Sequence, residues 1–243
     1  MLEVPKHITM CFHNSMSKKA KQLAIRYGRQ LNIVEIAEKI IQEQYHVSAF
    51  KNPEYPIITI DPNIQIFNWE LIPFWVKSRE EADTIRTKTY NARSETIFQK
   101  PSFRSSIINQ RCIVPSTGFF DWRHEKGKKI PYFIYMKNED IFSMAGIYSI
   151  WEDPDNYQKI SSFSIITTTA NELMSCIHNT NFRMPVLLHK DEEEKWLSPQ
   201  LKRHEIINLL HPLDNGLLDA YIISNDFLKK APNDSSIILP LNS

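Results

Sequence analysis

Residues 111–151 read RCIVPSTGFFDWRHEKGKKIPYFIYMKNEDIFSMAGIYSIW. Within them Cys112-Ile113-Val114, Phe119–Trp122, Pro131–Met136 and Ile141–Trp151 are short runs of β-branched and aromatic residues, the composition of strands. His124-Glu125-Lys126-Gly127-Lys128-Lys129 and Lys137-Asn138-Glu139-Asp140 separate them and read as hairpin tips. Further along, Phe163–Thr169 and Tyr221-Ile222-Ile223 continue the strand series. Upstream, Ile57-Ile58-Thr59-Ile60 and Ile64–Trp69 extend it, punctuated by Pro53, Pro56 and Pro62. Helical spacing appears only toward the ends. Ala20, Leu23, Ala24 and Tyr27 predict a helix from Met16 to Asn32, with Gly28 near its cap. Ile36, Ala37, Ile40 and Ile41 predict another from Val34 to Tyr45. Asp191–Leu197 and Leu201–Leu210 read as short amphipathic helices, and the last dozen residues as a surface tail. With no repeat and no low-complexity linker, the pattern predicts one α+β domain with a mixed or antiparallel sheet.

The chain has 243 residues, enough to bury a sizeable core, and its 42% apolar and 23% charged composition is that of a globular protein. Its longest apolar runs are short: Ser143 and Ser149 interrupt Ile141–Ile150, well below the ~20 apolar residues of a membrane span. The N-terminal MLEVPKHITM has no apolar h-region, so the expected compartment is the cytoplasm and the three cysteines are expected to be free thiols. Five glycines, with no GxGxxG or GxxxxGK[ST], argue against a nucleotide-cofactor loop. Eight dispersed histidines without a Cys-x-x-Cys or His-x-x-x-His pair argue against a metal centre, and no cofactor is expected. The net charge of +1 hides a split: Val76–Ile130 holds twelve Lys and Arg against six Asp and Glu. Such a block can hold a polyanion or simply form a solvated face.

Four polar clusters interrupt or adjoin the apolar strands: Met10-Cys11, Asn91–Thr96, Gly118–Trp122 with Asp121 between aromatics, and Thr167–Asn171 with His178 downstream. An acid on an alternating strand can face solvent, or it can be desolvated and poised for proton transfer. His178 follows Cys176 by two residues, a weak pattern for a nucleophile and its base. Trp69 and Trp75, in Trp69-Glu70-Leu71-Ile72-Pro73-Phe74-Trp75, serve either as core or as stacking platforms for unpaired bases.

Taken in order, these segments resemble the SOS response-associated peptidase (SRAP) family, also described as abasic-site processing proteins. The matching segments are Leu71–Trp75, Asn91–Thr96, Arg111–Pro115, Gly118–Trp122, Pro131–Phe133, Ala145–Ile147, Thr167–Asn171, Ile177–Asn179 and Arg183–Leu188. The resemblance implies a single domain over residues 10–230, a bifurcated mixed sheet with a small barrel-like core flanked by helices, and a leader, residues 1–9, absent or removed in the mature protein. It implies a sensor of abasic sites in single-stranded DNA that crosslinks to them through an N-terminal cysteine. Cys11 takes that role: its α-amine condenses with the ring-opened sugar aldehyde and its thiolate closes a thiazolidine. Free α-amines titrate at roughly 8 and thiols at roughly 8.5, so both nucleophiles are accessible near neutral pH. The resemblance further implies that Asn91 orients the amine or the opened sugar, Asp121 and His178 move protons, and Arg93 contacts a phosphate. Thr167 sets a hydroxyl against the lesion, Trp69 or Trp75 stacks at the DNA junction, and Arg104 and Arg111 track the backbone. The implied protein works as a monomer, away from membranes, on nucleoid DNA beside the replication machinery.

The chain departs from the family pattern in several places. Nine residues precede Met10, and the usual Cys-Gly-Arg start is Cys11-Phe12-His13. Asp121 stands where the family usually has Glu, a methylene and about 1.5 Å shorter. Glu70 replaces a glycine, and four residues separate His178 from Arg183, a longer spacing than usual. Two other readings remain open: a thiol peptidase acting on other proteins through Cys11 and His178, and a non-catalytic module that binds single strands by stacking and charge.

Overall fold

A computed structural model of the protein describes residues 12–31 and 42–241. The strand-rich middle of the sequence forms the predicted α+β domain as two sheets, neither closed on itself among the described residues. The first comprises β1 (His13–Met16), β2 (Gln44–Ser48), β7 (Gly118–Glu125), β8 (Lys128–Met136) and β13 (Leu218–Ile222), in the order β13-β8-β7-β1-β2 and antiparallel throughout. Lys126 and Gly127 take left-handed backbone angles at the β7–β8 turn, the geometry a tight hairpin needs. Gly118 opens β7 because a Cβ there would meet the Phe133 ring of β8 at 2.1 Å.

The second sheet has eight strands and forks. It contains β3 (Glu54–Ile57), β4 (Gln65–Trp69), β5 (Asn91–Arg93), β6 (Arg111–Ser116), β9 (Phe142–Glu152), β10 (Lys159–Thr169), β11 (Arg183–Pro185) and β12 (Leu187–Leu188). One edge of β10 pairs first with β9 and then with β11, and its other edge pairs in parallel with β4 and then β5. Between β11 and β12, Val186 sits at the fork, donating to the Ile166 carbonyl and accepting from the Ala145 amide, both at short range (2.9 and 2.8 Å). An Ile58–Ile113 bridge ties β6 to the segment after β3.

Six α-helices are described outside the sheets: α1 (Ala20–Tyr27), α2 (Arg79–Arg86), α3 (Ser106–Asn109), α4 (Glu172–Ile177), α5 (Lys190–Leu197) and α6 (Arg203–Leu209). A continuous core joins both sheets, with Met16, Phe119 and Ile134 from the first and Phe142, Ile147 and Phe163 from the second. Each such side chain contributes roughly 1.5–3 kcal/mol through burial, before the conformational entropy lost on ordering is subtracted.

The structure corrects several element boundaries. Met16 ends a strand, because its backbone pairs with Gln44, and the first helix runs only from Ala20 to Tyr27, capped by Gly28 at φ 59°. Of the helix expected from Val34 to Tyr45, residues 34–41 lie outside the described residues, and Tyr45 belongs to β2. Lys137–Asp140 joins β8 to β9, which lie in different sheets, so it is a crossover and not a hairpin tip. The C-terminal segment is only partly a surface tail, since Ile237 is buried and Pro240 bridges to Ile223.

Candidate active site

Asp121 sits on β7, opposite Tyr132 of β8, with its side chain turned into the molecule. Its Oδ1 accepts from the Trp122 amide at 2.8 Å. His178 comes from the other sheet's side of the molecule. Asn171 caps α4 by accepting from the Met174 amide, and the helix ends with the His178 amide donating to the Met174 carbonyl at 2.7 Å. That stop leaves the His178 imidazole buried, with Nδ1 3.0 Å from the Arg183 carbonyl and 3.6 Å from Asp121 Oδ2. A carbonyl only accepts, so Nδ1 carries a proton, and in the tautomer that this bond selects it is Nε2 that can give or take the other. Among the described residues Nε2 is buried with no hydrogen-bond partner.

Asn91 and Thr167 are both buried, and both belong to the β5–β10 ladder, in which Asn91 faces Ile165 and Arg93 faces Thr167. Arg183 binds this ladder: its Nη2 donates to the Thr167 carbonyl at 2.7 Å and to the Thr167 hydroxyl at 3.2 Å. The same guanidinium forms a two-pronged pair with the Glu95 carboxylate. Partial burial pushes the Glu95 carboxyl up, but the Arg183 hydrogen bond and charge outweigh it and hold the carboxyl below its ordinary value. Arg183 and Glu95 thus brace the candidate site although sequence reasoning assigned them no role; the Asn91–Thr96 and Arg183–Leu188 segments that hold them were both visible, but not the ion pair that joins them.

Cys11 lies outside the described residues. The residues that follow it run directly along the site. The Phe12 ring packs edge-on against Tyr90 (5.9 Å between centroids), the neighbour of Asn91. The His13 ring packs edge-on against Trp122 (5.1 Å), the neighbour of Asp121.

Beside Asn91 opens a pocket of about 320 Å³. Ile85 and Phe103 give it apolar lining, and Lys88, Arg93 and Lys100 give it positive charge. The basic block thus divides. Arg93 and Arg104 are exposed. Arg111 is not: it is buried and donates to the carbonyls of Ile107, Ile108, Trp196 and Ser198, so the expectation that it tracks DNA is corrected. Trp69 is likewise corrected. It is buried in the core, stacked on Phe163, with its indole N–H on the Tyr90 carbonyl at 3.1 Å. Trp75 keeps 37% of its surface exposed and so retains the stacking option. No three His, Cys, Asp or Glu side chains converge as a metal site among the described residues.

The family model described as SOS response associated peptidase (SRAP) matches residues 10–229. The chain belongs to the SRAP family. Among its relatives, the abasic site processing protein YoqW of Bacillus subtilis (strain 168) is 36% identical over 200 residues, covering 79% of this chain and 85% of YoqW. The abasic site processing protein HMCES of Gallus gallus is 34% identical over 168 residues, covering 60% of this chain and 49% of HMCES. A crystal structure of a protein from Bacteroides thetaiotaomicron is 58% identical and superposes with a TM-score of 0.94, over 96% of this chain and all of that one.

Proposed function

We propose that this SRAP protein processes abasic sites in single-stranded DNA by forming a covalent bond through Cys11. Removal of the residues before Cys11, by the protein itself or by an aminopeptidase, frees the α-amine. The amine adds to the C1′ aldehyde of the opened deoxyribose, and loss of one water gives a Schiff base. The Cys11 sulfur then adds to the imine carbon, and the nitrogen takes up a proton, closing a thiazolidine. His178 receives and returns protons at Nε2, and the Asp121 carboxylate balances the charge that the imidazole acquires. Asn91 orients the amine or the sugar, while Arg93 and the neighbouring Lys88 and Lys100 hold phosphates of the strand. The protein acts on DNA in the cytoplasm.

The observation that supports this reading best is the buried Asp121–His178 pair, whose Nε2 has no described partner, lying where the chain that leaves Cys11 packs against Tyr90 and Trp122. Its test is incubation of protein beginning at Cys11 with an abasic single-stranded oligonucleotide. A heat-stable band of reduced mobility is expected, absent with Cys11→Ala and absent with an oligonucleotide lacking the abasic site. Salt-sensitive binding without any covalent product would instead favour a non-catalytic module.

A further inference from the structure

Asp121 and His178 come from elements far apart in sequence, and no hydrogen bond of ordinary length joins them. At 3.6 Å, Asp121 Oδ2 lies beyond ordinary hydrogen-bond range of Nδ1, whose proton is already taken by the Arg183 carbonyl at 3.0 Å. The scaffold that holds the two elements therefore contributes to the distance. In β7, the pairing with β1 covers only Gly118 and Phe119. Past that point side chains meet the β7 backbone. Asp121 takes the Trp122 amide, and Asn179 takes both polar groups of His124: its Oδ1 accepts from the His124 N–H at 3.0 Å and its Nδ2 donates to the His124 carbonyl at 2.8 Å. A side-chain amide that accepts from and donates to one residue reproduces a rung of a β-ladder.

Asn179 directly follows His178, and His124 lies three residues beyond Asp121. The rest of the turn is closed by backbone bonds from Phe182 N–H to the His178 carbonyl and from Ala170 N–H to the Phe182 carbonyl, both 2.9 Å. Phe182 is held there at φ 54°, a left-handed conformation costly for an aromatic residue, so the turn is firmly determined. We propose that Asn179 is a positioning residue: its two bonds to His124 clamp β7 to the His178 turn and set the approach of the Asp121 carboxylate to the imidazole. This deepens the reading above and rests on it.

Two arms test it, using protein beginning at Cys11. In the first, the rate of adduct formation is measured against abasic single-stranded oligonucleotide concentration for wild type, Asn179→Ala and Asn179→Asp. Small displacements of reacting groups cost large factors, so Asn179→Ala should slow the maximal rate about tenfold to a hundredfold and leave the half-saturating concentration unchanged. Asn179→Asp keeps the acceptor for the His124 N–H and loses the donor, and should fall between. The second arm needs no DNA: the nitrogen chemical shifts of the His178 ring report its tautomer and should move in both variants. If wild type forms no adduct, the functional reading fails, and the ring shifts alone decide the clamp. Wild-type ring shifts in both variants, or wild-type rates in both where wild type reacts, would overturn the proposal; Asn179→Asp decides if Asn179→Ala does not fold.

Discussion

Arg93 and Arg111 are the same residue type in the same basic block, and the family resemblance implied a place on the DNA for both. Burial separates them. Arg111 satisfies four carbonyls in the angle between α3, β6 and α5, and burial pulls its guanidinium below the ordinary arginine value. Arg93 stays exposed at the rim of the pocket beside Asn91. Arg111→Ala should therefore lower unfolding stability by about 3 kcal/mol, since several buried carbonyls lose charged donors. Arg93→Ala should leave urea unfolding unchanged and reduce the salt dependence of single-strand binding by about 0.7 in log–log slope, one phosphate's worth. Denaturant melts and binding titrations over a salt series check both. The Trp69 outcome has the same origin, for neither residue carries any local mark of which neighbours will cover it. Asp121 and His178, in contrast, were given their roles by the family resemblance and not by any local pattern, and the structure brings them within 3.6 Å of each other.

At the scale of elements, the period-two strands from Cys112 to Thr169 were readable, because alternation and turn residues are local signals. The first helix was over-extended because pairing of Met16 with Gln44 is a tertiary contact that overrides helical spacing. Helix α2 went unread although Ser78-Arg79-Glu80-Glu81 carries a capping signature; Ser78 does accept from the Glu81 amide at 3.2 Å. The β1–β2 pair adds a feature no local pattern announces. His13 Nδ1 and His46 Nε2 are 2.8 Å apart and buried. Burial and the His46 charge hold His13 down to about 3, and burial with Lys51 holds His46 down to about 4, against an ordinary 6.5. Both rings are neutral in the fold and protonate more readily when unfolded, so the stability they support is complete above pH 6.5 and is lost as pH falls toward 4. Glu70 works the other way: burial outweighs Arg86 and raises its carboxyl from 4.5 to about 7, so its contribution is complete below pH 4.5 and lost as pH rises through 7. Between pH 6 and 5 the balance is about one proton, a loss of about 1.4 kcal/mol per pH unit. Glu70→Gln should steepen that loss, and His46→Gln should flatten it, in urea melts across the window. The same slope in all three proteins would contradict this account.

Across the whole molecule, the site belongs to neither sheet alone. Asp121 stands on the five-stranded sheet, Asn91 and Thr167 stand on the eight-stranded one, and His178 reaches across from the turn before β11. The fold class was legible because strand count and helix placement are sums of local signals. The fork at Val186, which lets β11 and β12 serve two strands at once, was not, because it depends on where β9 and β10 part. The residues after Cys11 run past both halves of the site, through Phe12 on Tyr90 and His13 on Trp122. The most direct measurement is therefore the intact mass of the product formed by protein beginning at Cys11 and an abasic oligonucleotide, without reductant. Thiazolidine closure predicts the sum of the two masses less one water, with the linked peptide beginning at Cys11. An adduct mapped to a lysine elsewhere, or one of equal yield with Cys11→Ala, would contradict it.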